Sequence, residues 1–301
     1  MPHVARLIGL AVLVLAALSL VTVAVEAQQP PRSLLLAYGN VSAIGAEGGN
    51  VTGLVATLNE AINLTEAGQY DNAVGLALSV LNQAPALARQ VEQRRLIEAV
   101  AYGALGALAV GALTLLYLRR RELVGSLWLR FRGGDRVTLG GGKARGFLTD
   151  SEVLAVLTGL VIVFAVFLAA HSLTGVEATR FSAIGLLGPG GRIGGYPTSV
   201  AVNQTINLYV LVYNHMNRPI WFVVYIYVTN NTTPPPLPGS PLLTYQRVLL
   251  SNETWVAPLS LRLNETGDFR LVGELWMYNP LNLTLTYTGE YVQLWVNVTG
   301  G

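Results

Sequence analysis

Three stretches of the chain carry no Asp, Glu, Lys or Arg: Leu7 to Val25, Ala99 to Leu118 and Val153 to Leu173. At about 1.5 Å per residue, a helix of roughly twenty residues matches a hydrocarbon core of about 30 Å and exceeds an ordinary buried core helix. The second and third runs therefore predict transmembrane helices over 99–118 and 153–173. The first run follows Arg6 and ends in Val25, Glu26 and Ala27, whose small residues predict a signal peptide over 1–27, with a retained first transmembrane helix as the alternative.

Between the first two runs the pattern changes to a helical period. After Pro30 and Pro31, the residues Leu54, Leu58, Ala61 and Ile62 form one apolar stripe, and Val74, Leu78 and Leu81 form a second. Gly68, Gln69, Tyr70 and Asp71 separate them as a turn, so residues 28–98 are expected to be a helical hairpin. The spacing of Ala61, Gly68, Tyr70, Ala73 and Ala77 resembles one tetratricopeptide unit, but a single copy cannot bury its own face. Beyond Pro85 the helical pattern runs into the second apolar run without a breaker, which predicts a stalk.

From Phe181 the period shortens to two. β-Branched and aromatic residues alternate with polar ones in runs bounded by Gly, Pro and Asn. Strands are expected at Phe181–Leu187, Ser199–Val202, Ile206–Tyr213, Ile220–Thr229, Leu242–Leu250, Thr254–Leu263 and Phe269–Tyr278, with two more from Leu283 to Val298. That spacing predicts an antiparallel β-sandwich of the Ig-like kind over 174–301. Asn230 to Pro241 reads as a proline-rich loop and Asn214 to Pro219 as a turn holding His215.

Composition sharpens this picture. The chain is 52% hydrophobic and 12% charged, far from a soluble globular average. Its net charge of +2 lacks the basic face that nucleic acid requires, and the absence of cysteine removes disulfides, thiolate metal sites and cysteine nucleophiles. Arg119, Arg120, Arg121, Arg130, Arg132, Arg136, Lys143 and Arg145 crowd the segment 119–152, which is therefore expected to be a basic cytoplasmic loop facing anionic lipid. Its Gly140, Gly141, Gly142 and Lys143 do not make a phosphate loop, because Ala144 stands where a metal-binding hydroxyl is needed.

Asn-x-Ser/Thr triplets occur at Asn40, Asn50, Asn63, Asn203, Asn230, Asn231, Asn252, Asn264, Asn282 and Asn297, and none falls in the basic loop. They predict N-glycosylation of an exported surface and place 28–98 and 174–301 outside the cell membrane. Within the second apolar run, Ala99, Gly103, Ala107 and Gly111 repeat at i, i+4, the small-residue ridge by which two helices pack closely in lipid.

The stretch Phe181 to Thr198 reads FSAIGLLGPGGRIGGYPT; Asn214 with His215, Asn252 to Trp255 and Glu274 to Pro280 (ELWMYNP) follow it. In these residues the chain resembles the archaeal membrane-protein family called domain of unknown function 1616, over about its last half. The resemblance implies an archaeal envelope location and a β-sandwich, and it implies no catalytic residues.

Candidate chemistry is sparse. Of His3, His171 and His215 only the last lies in the expected sandwich, where a turn-fixing hydrogen bond explains it, and no metal or other cofactor is implied. Among Glu177, Glu253, Glu265, Asp268, Glu274 and Glu290, the one to watch is Glu274, which alternates with Val272 and Trp276 on one strand face. No Gly-x-Ser-x-Gly signature supports a Ser-His-Asp set. Tyr209, Tyr213, Trp221, Tyr225, Tyr227, Trp276, Tyr278, Tyr287, Tyr291 and Trp295 crowd the strands as core filling or a sugar-stacking platform. The sequence thus points to a non-enzymatic, membrane-anchored envelope protein whose sandwich binds another envelope or membrane component. A carbohydrate-binding or glycan-processing accessory module is the alternative.

Overall fold

The computed structural model describes residues 30–118, 159, 162–163 and 180–300. The signal segment 1–27, the basic loop 119–152, most of the third apolar run, His3, His171 and Glu177 lie outside the described residues. Two compact units divide the chain at Val91/Glu92 and Thr179/Arg180.

The first unit joins what the sequence suggests are separate exported domains. Three helices, α1 (Arg32–Ala46), α2 (Thr52–Glu66) and the opening turns of α3 (Tyr70–Leu118), pack against a two-sheet sandwich. The expected hairpin is α2 and α3, closed by Gly68 at φ 76°, where Gln69 N–H returns to Leu64 O at 2.8 Å. It is extended by α1, a helix for which the sequence pattern names no separate element. The α2 stripe Leu54, Leu58, Ala61 and Ile62 is buried as expected. The α3 stripe is met in part: Leu81 packs against the core and Val74 is half-buried, but Leu78 is exposed and Ala73, Ala77, Val80 and Ala84 are the buried residues. Ala61, Ala73 and Ala77, all buried, are residues of the tetratricopeptide-like spacing.

Eight strands follow: β1 (Phe181–Leu187), β2 (Ser199–Ala201), β3 (Thr205–His215), β4 (Ile220–Thr229), β5 (Leu243–Leu249), β6 (Thr254–Arg262), β7 (Gly267–Tyr278) and β8 (Leu285–Thr299). They form a three-stranded sheet, β1-β3-β6, and a five-stranded sheet, β2-β8-β7-β4-β5. Every pairing is antiparallel except β2 with β8, which is parallel, so the expected antiparallel sandwich is corrected at that edge. The stretch from Leu283 is one strand of fifteen residues rather than two. It bends at Gly289, φ 87°, where the register with β7 slips between Glu274 and Trp276. His215 ends β3 rather than sitting in the turn after it.

Two cores result. Between the sheets lie Leu208, Val210 and Val212 of β3 with Phe222, Val224 and Ile226 of β4, Leu259 of β6 and Leu275 of β7, almost wholly aliphatic. On the outer side of the five-stranded sheet, Trp221, Val223, Val248 and Tyr278 meet Leu34, Tyr38, Leu58 and Ile62 of the helices. β4 is therefore covered on both faces, which is why it reads as a continuous apolar run, whereas β3, bare on one face, alternates. Polar ties fix the helices on the sheet: Tyr38 Oη donates to Tyr278 O at 2.8 Å and Ser42 Oγ to Pro219 O at 2.8 Å. Asn59 of α2 caps the edge strand β5, donating to Val248 O at 2.9 Å and accepting from Val248 N–H at 2.8 Å, as a neighbouring peptide would.

The second unit is described mainly by the rest of α3. Pro85 lies inside this 49-residue helix, which continues to Leu118 as the sequence pattern predicts. Leu96, Ile97, Val100, Tyr102, Leu105 and Leu108 are exposed around it. Ala99, Gly103, Ala107 and Gly111 are exposed too, with open space where side chains on Gly103 and Gly111 would stand. Among the described residues no helix is long and apolar enough to cross a membrane. Side chains beyond Leu108, save Gly111, lie outside that description.

Candidate functional site

The chemistry-bearing side chains of the first unit gather on the outer face of the five-stranded sheet. Alternation along β4, β7 and β8 sends Trp221, Tyr225, Tyr227, Glu274, Trp276, Tyr278, Tyr287, Tyr291 and Trp295 to this one side. The aromatic residues singled out from sequence thus avoid the core between the sheets. The helices cover one part of this face and the loop Asn230 to Pro241 covers another.

Under the helices lies an open cavity of about 770 Å3, lined by Leu34, Ile62 and Glu66 on the helix side and by Trp221, Tyr225, Gln246 and Tyr278 on the sheet side. Burial at its wall pushes the Tyr278 phenol up to about 12. Desolvation also raises the Glu66 carboxyl, and a hydrogen bond from Gln246 opposes that rise.

Beside the cavity runs a chain of ring contacts, Tyr227 to Tyr225 at 6.5 Å, Tyr225 to Trp276 at 5.7 Å and Trp276 to Tyr287 at 5.3 Å between centroids. Glu274 is fully buried among them. Its Oε1 accepts the Leu237 N–H at 2.6 Å and its Oε2 accepts the Trp276 indole N–H at 3.0 Å. Four residues earlier on the same face, buried Arg270 donates through Nη1 to Thr233 O at 2.8 Å and through Nε to Gln293 Oε1 at 2.8 Å. Two opposite charges therefore clamp the proline-rich loop to the sheet from within. Tyr227, desolvated and close to the Glu274 carboxylate, has its phenol pushed up to about 12.

The remaining candidates scatter. His215 lies at the far end of β3, where its Nδ1 is 2.6 Å from Asn252 Oδ1 and its ring contacts Phe181 and Tyr213. This bond ties β3 to the β5–β6 turn. Glu253 accepts the Leu250 N–H at 2.7 Å, Asp268 accepts from the Asn297 amide at 2.6 Å, Glu265 is exposed, and Glu290, raised by desolvation, accepts from Ser182. Tyr209 and Tyr213 are half-buried on the three-stranded sheet. Among the described residues no three His, Cys, Asp or Glu side chains come together as a metal site.

All ten triplet asparagines are exposed. Two asparagines outside the triplets are less exposed and tie strands together: Asn59 on β5, and buried Asn214, whose amide donates to Arg218 O, Leu249 O and Leu250 O. Asn203, Asn230, Asn231, Asn264 and Asn297 sit at one end of the sandwich, beyond or beside the last pairings of β2, β4, β6, β7 and β8. The opposite end carries both connections to the rest of the chain. There β1 begins at Phe181 opposite His215, and α3 leaves beside the α1–α2 turn, where a Cβ on Gly49 would stand 2.9 Å from Val91. Gly45 of that same turn region packs on Pro219, which precedes β4.

No family model matches the chain and no curated relative is similar to it. Among solved structures, the sandwich is similar to a CARDB domain of a Pyrococcus furiosus protein, at 15% identity and a TM-score of 0.29 over 40% of this chain and 89% of that one. It is also similar to part of a beta-glucosidase from Listeria innocua, at 12% identity and a TM-score of 0.29, over 42% of this chain and only 17% of that chain. The corresponding figures for a beta-glucosidase from Erythrobacter marinus are 15% identity, a TM-score of 0.26, 39% of this chain and 16% of that chain.

Proposed function

We propose that this is a non-enzymatic, membrane-anchored and N-glycosylated envelope protein, archaeal by its family resemblance, that holds a helix-covered sandwich outside the cell to bind another envelope or membrane component. The observation that carries the reading is the exposed apolar stretch Leu96 to Leu108 of α3, since a helix apolar all round needs lipid or protein to cover it. The triplet asparagines, all exposed, are open to glycans at both ends of the first unit. Ala99, Gly103, Ala107 and Gly111 then offer a close-packing ridge to a second helix in the bilayer.

The carboxylate most suited to catalysis by its place on a strand is engaged elsewhere. Both oxygens of Glu274 hold protein N–H groups and the side chain has no route to solvent, so it positions a loop rather than transferring a proton. A second reading, carbohydrate binding, is favoured by the ring chain Tyr225, Trp276 and Tyr287 beside the open cavity.

Affinity purification of the intact protein from native membranes after surface cross-linking separates the two. An envelope or membrane protein should be recovered, free oligosaccharide should not release it, and Trp276→Ala should leave recovery unchanged. Release by oligosaccharide, together with loss of binding in Trp276→Ala, would transfer the assignment to carbohydrate recognition.

A further inference from the structure

The two edges of the five-stranded sheet are treated differently. β5 is capped by the Asn59 carboxamide. β8 is covered by β2 only at Asn297–Thr299, so from Leu285 to Val296 it is hydrogen-bonded to β7 on one side and to no strand on the other, while β1 of the facing sheet reaches it through Ser182 and Glu290. The Asn297 N–H donates to Thr198 O, away from β7. Ladder alternation therefore sends the N–H and C=O groups of Tyr291, Gln293 and Trp295 in that same outward direction. Between Tyr291 and Val296 there is no lysine, proline or charged residue, the devices that usually blunt an exposed edge. Instead Tyr291 and Trp295 stand 45% and 42% exposed on the outer face.

We propose that this edge pairs with the same edge of a second copy of the chain, antiparallel about a two-fold axis at Gln293. The occupant is argued from self-complementarity. Tyr291, Val292, Gln293, Leu294 and Trp295 read aromatic, aliphatic, amide, aliphatic, aromatic from either direction. On a two-fold at Gln293, each Tyr291 lies opposite the other copy's Trp295 and the two Gln293 face each other. All three pairings use outward-pointing backbone groups, giving about six new hydrogen bonds. Aromatic residues directly opposite across a ladder attract. No charge in this stretch meets its own copy, and Glu290 falls opposite Val296. The pairing also has natural limits, with β2 closing the edge at Asn297 and the bend at Gly289 turning the strand aside.

Charge exchange on the full chain in detergent micelles tests this, with mass read by light scattering. The wild type should be dimeric. The double variant Tyr291→Lys, Trp295→Lys should weaken the dimer about 100-fold, as should Tyr291→Glu, Trp295→Glu. An equimolar mixture of the two should recover a dimer containing one of each, which a folding defect would not allow. A monomeric wild type overturns the proposal, as do homodimers that persist in both double variants and a mixture that stays monomeric.

Discussion

One sheet face in this protein carries two unlike covers. Under the helices the contacts are mostly aromatic and aliphatic, beside an open cavity, with Trp221 packed edge-on to Tyr38 at 5.8 Å and against Tyr278 at 4.7 Å. Under the proline-rich loop Leu237 packs on Tyr227 and Val272, and Glu274 and Arg270 bond to the loop's backbone groups. Helices satisfy their own backbone and need only an apolar stripe to bind a sheet. A loop rich in proline brings unpaired peptide groups, and these must find partners where they are buried. The same strands β4 and β7 therefore supply aromatic surface at one end and ionic clamps at the other.

The largest effect should come from the helix-covered half. Trp221→Ala should lower stability by about 3–5 kcal/mol in denaturant titration, because it empties the centre of the helix-facing core. Trp221→Phe should be milder than its lost volume suggests, since the indole N–H is buried without a hydrogen-bond partner. A loss below about 1 kcal/mol for the alanine variant would mean that the helices do not depend on that ring.

The polar half predicts a smaller loss with a different signature. Glu274→Leu leaves the Leu237 N–H and the Trp276 indole N–H without an acceptor and should cost about 2–3 kcal/mol. Glu274→Gln keeps one carbonyl acceptor and should cost roughly half as much. Proteolysis within residues 230–241 should rise in step. A stable Glu274→Leu variant whose loop resists protease would show that Arg270 and packing hold the loop alone.

The smallest effect near neutral pH comes from phenols in both halves. Tyr278 and Tyr227 are raised from 10.0 to about 12. Their neutral forms are favoured in the folded state, so this contribution is complete below pH 10 and is lost as pH rises toward 12. Thermal stability should hold up to pH 10 and fall above it, and Tyr278→Phe should flatten that fall. An identical alkaline profile in this variant would place the responsible group elsewhere.

Much of the fold was legible residue by residue. β1 and β4 begin and end where the period-two pattern predicts, and the α2 stripe is buried as read. In α3 the larger Leu78 is exposed while the alanines Ala73, Ala77 and Ala84 are buried, so apolar size was a poor guide to the buried face. The continuous apolar run of β4 reflects a sheet covered on both faces, and that cover comes from helices far back in the chain. Glu274 stood out from sequence as the acid to watch. Its task, holding Leu237 and Trp276, became visible only with its partners in place.

The amino-acid order by itself determined the local elements, the exposed asparagine triplets and the absence of thiol chemistry, because periodicity, turn residues and composition act over a few neighbours. Tertiary structure decided that helices and sandwich share one core, which sheet edge is capped by Asn59 and which is left open, and that Glu274 and Arg270 serve a loop. Those outcomes depend on which surfaces meet after the chain has closed long loops. A contact such as Asn59 to Val248, 189 residues apart in the chain, leaves no periodic trace in either segment.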